Sequence, residues 1–236
     1  MLRPRDERYT TVAIILHWII AVCIIFNLAV GYFMEGWPIP FRFMAVSLHI
    51  SAGMTVLVLS VLRIIWRLLH EPPAYPPKMK SWERHLAHCV HFVLYLSMIL
   101  MPLIGWSIIS AHAPAGSPGA KAEAQMMATQ MAPPGSTTPN PGGKPSGPPK
   151  GGVQMKIWGL IPMPTIAPIA NIGAEPGGVE PQKVLHEEFI EWHTIGGFIL
   201  IFVLLLHIAG ALKHQIIDKD PELQRMGVGR FPNRSA

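Results

Sequence analysis

Charge is scarce in this chain: of 236 residues only 14% are Asp, Glu, Lys or Arg, while 50% are apolar. A composition so poor in ions excludes an ordinary water-soluble domain. Cysteine is scarcer still. The two present, Cys23 and Cys89, both fall inside long apolar runs, so no disulfide framework ties the loops together. Lysine and arginine outnumber the acids by 19 to 14, yet they are split among separate segments without an aromatic-interleaved patch, which argues against nucleic acid as a partner.

Long apolar runs are what the sequence has instead. Residues 11–34, 44–69, 86–111 and 189–212 can each cross a hydrocarbon core of about 30 Å. They predict an all-α membrane protein, a four-transmembrane-helix bundle surrounded by membrane lipid. The first run follows a basic start, as a signal peptide would, but its core is too long and no small-residue cleavage site follows, so it reads as a retained helix. Twelve lysines and arginines lie in the N-terminal segment, the connection after the second helix and the tail, against Arg42 alone in the loop between the first two helices. The positive-inside rule then sets both termini in the cytoplasm.

One membrane domain is expected over 1–236, with residues 112–152 inserted between the third and fourth helices. Proline, glycine, small residues and methionine dominate there and branched aliphatics are nearly absent, which predicts a disordered outer loop. Three methionines without a nearby cysteine are a weak basis for a copper site. From residue 153 the chain turns more apolar and is expected to lie back on the outer membrane surface, ordered by Trp158 and its prolines.

The fourth helix carries most of the information. His186, His193, His207 and His214 are separated by multiples of seven, so one helix presents all four as a single stripe. His193 and His207 are fourteen residues apart, about 21 Å at 1.5 Å per residue, which puts one imidazole near each membrane face. An imidazole in hydrocarbon needs a partner. Partners at matching depths stand on the first two helices: His17 toward the cytoplasm with His207, and His49 toward the outside with His193. Two pairs at two depths suit iron in a porphyrin held between facing helices, whereas a structural zinc site wants four ligands at one depth. No C-x-x-C-H is present for covalent attachment, so histidine must hold any such group. Filling both axial positions leaves no open iron site for O₂ and argues for electron transfer.

Several neighbours have two readings. His186 is the rival of His193. His88 and His91 lack a counterpart at the far end of the third helix and read as hydrogen-bonding groups near the membrane surface more than as ligands. Trp18 is an interfacial anchor or a wall against a flat ring. Arg63 and Arg67, one turn apart, either snorkel or pair with anionic groups of a bound ligand. Gly53, four residues after His49, either packs helices or makes room for a planar cofactor. Gly31 with the WPIP turn ends the first span, and Pro102 with Gly105 kinks the third.

The segments ILHWII, LHISAG, VLRIIWRLL, AHCVHFVLYL and EWHTIGGFILIFVLLLHIAGALKH, in this order, resemble the bacterial cytochrome b561 family of small di-haem membrane proteins. The resemblance covers all four spans. It implies two b-type haems in the bacterial inner membrane, with His17, His49, His193 and His207 as iron ligands. The activity it implies is that of a superoxide oxidase, which takes electrons from superoxide at the outer surface and passes them to ubiquinone near the inner haem. His214, one heptad beyond His207, matches a position implicated in the quinone pocket. The insertion departs from the short outer loop of that enzyme. Two other accounts compete: a membrane cytochrome b subunit that exchanges electrons with a periplasmic redox protein, and a histidine-lined metal transporter without haem.

Overall fold

The computed structural model describes residues 8–75, 79–130 and 155–229. Four helices are long and apolar enough to cross a membrane. They are α1 (Thr11–Phe33), α2 (Ile39–Leu69), α3 (Ser81–Ser110) and α6 (Val179–Ile216). Between and after them stand α4 (Pro118–Gln130), the strands β1 (Lys156–Ile157) and β2 (Ile161–Pro162), α5 (Ala167–Ala170) and α7 (Glu222–Arg225). The membrane-crossing helices expected from the apolar runs are all there. α6 starts ten residues before its apolar run, because 179–188 is polar yet helix-compatible and Pro181 sits in the first turn, where no backbone N–H partner is lost. Pro40 does the same at the start of α2.

The chain divides into two compact units, Met1–Leu103 with Thr194–Ala236, and Ile104–His193. In the first, Thr10 caps α1: its Oγ1 accepts from Ala13 N at 3.3 Å and from Trp66 Nε1 of α2 at 2.8 Å. Ile20 and Ile24 of α1, Val56 of α2, Met98 of α3 and Leu200 of α6 form the shared core. On α2 the buried positions are small, with Ala52, Val56 and Ser60 at four-residue spacing. Larger apolar side chains face outward, Val22 at 64% and Phe202 at 66% exposure. Lipid tails are as apolar as leucine, so nothing drives these residues inward and close packing of small ones holds the helices together. Gly31 continues α1 instead of ending it, and Pro102 is carried inside α3.

The second unit is assembled differently. Residues 112–152 do not begin as an unstructured loop: α4 occupies Pro118–Gln130, with Ser117 Oγ accepting from Ala120 N at 3.1 Å. Few branched aliphatics is a poor core signal, but Ala, Lys, Glu, Gln and Met are also the strongest helix formers, and that preference prevails here. Residues 131–152 lie outside the described residues. α4 meets the turn before α6 through its backbone, Gly119 N donating to Ala174 O at 2.8 Å. A β-carbon added at Gly119 would overlap the carbonyl of Gly173. The hairpin turns at Trp158 and Gly159, with φ of 53° and 71°. Trp158 is 52% exposed. Trp106 also ties this stretch down, donating from Nε1 to Pro164 O at 2.7 Å, together with Ser110, whose Oγ accepts from Ile166 N at 3.0 Å.

Candidate functional site

Four of the five core residues of the first unit have a polar counterpart seven positions away on their own helix, toward one end. Ile24 is paired in this sense with His17, Val56 with Arg63, Met98 with His91 and Leu200 with His207. A step of seven returns to nearly the same face, so the four side chains continue the core seam in the direction of one end, here termed the base. The antiparallel course of the helices makes the step run backward on α1 and α3 and forward on α2 and α6. The result is a polar cluster below an apolar seam.

Arg63 Nη1 lies 2.8 Å from His17 Nδ1. Arg63 Nε donates to Tyr95 OH at 3.3 Å, and the guanidinium carbon stands 5.8 Å from the Tyr95 ring centre. The His17 and His207 ring centres are 6.2 Å apart, and those of His91 and His207 are 5.2 Å apart. The structure therefore brings together His17 and His207, the pair read from the sequence, and adds Arg63 to them. It also brings in His91, expected near the membrane surface; the missed signal was its heptad relation to Met98. His88 does keep to a hydrogen bond, 3.0 Å from Tyr75 OH. Arg67 is exposed and lines the same cavity.

That cavity has a volume of about 680 Å³, within the roughly 300–1,000 Å³ of small-molecule and cofactor sites. Its walls are mainly apolar, with His17, Arg63, His91 and His207 on one side and Lys213, His214 and Arg225 toward the base. Trp18 lines it too, and donates from Nε1 to Met226 O at 2.9 Å. Volume and donor set fit a b-type haem between His17 and His207. One adjustment is required. A guanidinium only donates, so His17 Nδ1 is the acceptor and the ring hydrogen stands on Nε2. Iron held at Nε2 needs that hydrogen on Nδ1, so Arg63 has to leave His17 for ligation to occur there.

At the base a second polar network borders the cavity. Lys213 Nζ donates to Glu83 Oε1 at 2.5 Å and to Asp218 Oδ2 at 2.7 Å, and His214 Nδ1 donates to the same Asp218 oxygen at 2.7 Å. Hydrogen bonds from Lys213 first and from His214 second hold the Asp218 carboxyl below its ordinary pKa. Glu83 and Asp218 were missed by sequence reasoning. Asp218 had a signal, the i,i+4 spacing from His214; Glu83 had none, because it meets Lys213 only through packing of α3 against α6. Beyond Asp218 the chain folds back as a strap. Tyr9 N donates to Arg225 O at 3.2 Å, Arg8 Nε to Gln224 O at 3.1 Å and Arg225 Nη2 to Ala74 O at 2.5 Å. Burial under this strap pushes the Tyr9 hydroxyl pKa up.

The two remaining histidines each face a glycine. A β-carbon at Gly31 of α1 would stand 3.2 Å from Cε1 of His49 on α2, and one at Gly105 of α3 would stand 3.3 Å from Cε1 of His193 on α6. Either imidazole is laid against bare backbone, which fits a ring that must present an edge to a large planar ligand. Gly31 and Gly105, read from the sequence as a terminator and a kink, are thus imidazole seats. Gly53 serves helix packing instead: a β-carbon there would meet the Asn27 side chain at 3.5 Å. His49 belongs to the first unit and His193 to the second.

The family model described as Prokaryotic cytochrome b561 matches residues 8–229. The chain is 25% identical over 226 residues to Cytochrome b561 homolog 2 of Escherichia coli (strain K12), covering 93% of this chain and 91% of that protein. It is 26% identical over 224 residues to Cytochrome b561 homolog 1 of the same organism, covering 93% and 97%. Against the Probable superoxide oxidase CybB of Yersinia pestis it is 29% identical over 103 residues, 44% of this chain and 58% of that protein. The chain belongs to the prokaryotic cytochrome b561 family, multi-pass membrane proteins of electron transfer that work with b-type haem.

Proposed function

We propose that this protein oxidises superoxide at the outer membrane surface and reduces ubiquinone at the inner one, through two b-type haems. The observation that carries this reading is the cavity that joins His17 and His207 to Lys213 and His214. His17 and His207 would hold the inner haem; His49 and His193, by their depths in the sequence, would hold the outer. A haem, when bound, supplies a one-electron couple, and two imidazoles per iron leave no coordination position for O₂. The lysine and arginine distribution sets the base on the cytoplasmic side.

The residues of the base then perform the proton chemistry. Quinone reduction consumes two electrons and two protons; two superoxide ions supply the electrons and leave as two molecules of O₂. Asp218 holds His214 through Nδ1, so Nε2 is the ring atom left to meet a quinone carbonyl, and in the charged form it can donate both a hydrogen bond and a proton there. Lys213, held between Glu83 and Asp218, keeps a positive charge beside it. Arg63, once clear of His17, is the cation nearest the inner ligands for an anionic group.

The test is direct. The purified protein is mixed with a superoxide source and a short-chain ubiquinone, and quinol and the α band are followed together. Quinol formation with superoxide as sole donor supports the reading. A protein whose haems stay oxidised under superoxide, yet are reduced by a periplasmic redox protein, is the electron-transfer subunit instead; α4, an added exposed helix, is the feature that favours this second reading.

A further inference from the structure

Glu83 stands where a helix start commonly carries an acid for its own sake. It is the acidic residue in the first turn of α3, and its Oε2 accepts from Lys80 N at 3.0 Å, the reach-back bond of a capping box. A carboxylate with that task alone can sit in water, where the positive end of the helix dipole already favours it. Glu83 is instead buried, at 7% exposure. Its other oxygen, Oε1, accepts from Lys213 Nζ of α6. Burying a carboxylate is costly unless a cation meets it, so capping leaves the burial and the bond across to α6 unexplained.

From Lys213 the contacts run on toward the quinone end of the cavity. Lys213 Nζ also donates to Asp218 Oδ2 at 2.7 Å, and that same oxygen accepts from His214 Nδ1 at 2.7 Å. Glu83 and Asp218 thus divide one ammonium between them. Held from one side only, the ammonium would close on Asp218 and compete with His214 for the shared oxygen. Glu83 draws it toward α3 and leaves Asp218 to orient the imidazole. Charge acts in the same sense. Two carboxylates face one ammonium, and Asp220, with a carboxylate oxygen within 4.8 Å of a His214 ring nitrogen, adds a third negative group. Glu222 is taken up by Arg225. The network is short of positive charge, and an imidazolium at His214 fills the gap.

We propose that Glu83 is a positioning residue for quinone reduction, a role that rests on the quinone reading of the base given above: through Lys213 and Asp218 it holds His214 oriented and protonated for transfer from Nε2. The quinone takes two electrons and two protons. For each proton that His214 gives, its Nε2–H bond breaks as a quinone O–H bond forms, and water at the base returns a proton to Nε2. Glu83 borders the cavity, but both of its oxygens are engaged, by Lys80 N and by Lys213. It therefore acts through Lys213 and not on the quinone itself, and its effect falls on the rate of transfer more than on affinity.

Full-length, haem-loaded protein is reduced with a soluble donor, and its reoxidation is followed at several concentrations of a short-chain ubiquinone. Glu83→Gln keeps an oxygen for Lys80 N and removes the charge. It should lower the limiting rate by about threefold or more, while the half-saturating quinone concentration moves by less than about twofold. Lys213→Gln cuts the link at its next member and should do the same, so the outcome does not hang on one variant. In a His214→Ala background Glu83→Gln should add nothing, whereas a cap that merely keeps α3 in place would slow both backgrounds alike. The α band is expected at its parental height throughout; its loss in both Glu83→Gln and Lys213→Gln makes the network structural and overturns the proposal. Equal slowing with and without His214 overturns it too. A parental rate in Glu83→Gln, with His214→Ala slowed, removes the role of Glu83 and leaves the quinone reading standing. A parental rate in His214→Ala removes that reading and this proposal together.

Discussion

In the first unit four long helices meet side chain to side chain, along Ile20, Ile24, Val56, Met98 and Leu200. In the second, backbone lies on backbone at Gly119 and Gly173, and single side chains such as Trp106 and Gln182 reach across to carbonyls. The first is a repeating contact with a period, and its functional residues fall on the same period. The second is a set of unique contacts. A substitution in the first should therefore be felt at the haem, and one in the second as lost local order.

The largest effect expected is loss of a cofactor. His17→Ala or His207→Ala should remove the inner haem and spare the outer one, and His49→Ala or His193→Ala should do the reverse, read from haem content per protein. Removal of a haem by His186→Ala but not by His193→Ala would place the outer ligand two turns away and break the comparison at its root. Next comes Gly119→Val. The added branch cannot avoid the Gly173 carbonyl, so the second unit should lose about 1–3 kcal/mol. Limited proteolysis should cut between α3 and α6 while the inner haem spectrum is unchanged.

These two outcomes bear on how much was legible beforehand. The spans follow from hydropathy, and the grouping of His17 with His207 from heptad spacing, because lipid imposes length and the seam imposes period. His91 obeyed the same rule and was missed for want of a partner at the far end of α3. Glu83 could not be found, since its contact with Lys213 depends on how α3 and α6 pack. α4 was hidden by composition: the residues that cannot build a core are the ones that most readily build a helix. Gly31 and Gly105 carry no local mark that separates an imidazole seat from a helix breaker.

Smaller effects sharpen the picture of the base. His214→Ala should slow quinone reduction by about tenfold without loss of either haem, as one proton donor contributes at least that much. Rapid reduction by a soluble donor, followed by reoxidation with a short-chain quinone, measures it; an unchanged rate makes His214 a helix-end cation only. Asp218 has a folded pKa below its unfolded one, so the stability it lends the base is complete above the unfolded value, near 3.9 for an aspartate, and is lost as pH falls through the folded value. Asp218→Asn should therefore flatten the acid limb of a thermal-stability profile below about pH 4. The least effect is expected from deleting residues 131–150. Closure entropy varies slowly with length, so melting temperature and haem content should stay at parental values.

The strap at the base has a consequence for how the protein is made. His17, Arg63 and His91 leave the ribosome long before His207, and the strap residues that close the cavity, Glu222 to Met226, come later still. At roughly 5–20 residues per second, the interval from Arg63 to Arg225 is on the order of ten seconds. Throughout it the inner pocket lacks one wall and its floor, and a bulky planar molecule can enter from the side or from below. Once Arg225 reaches Ala74 and Met226 reaches Trp18, that approach is narrowed. A planar ligand should therefore enter the pocket most easily before residues 222–226 fold back across the base.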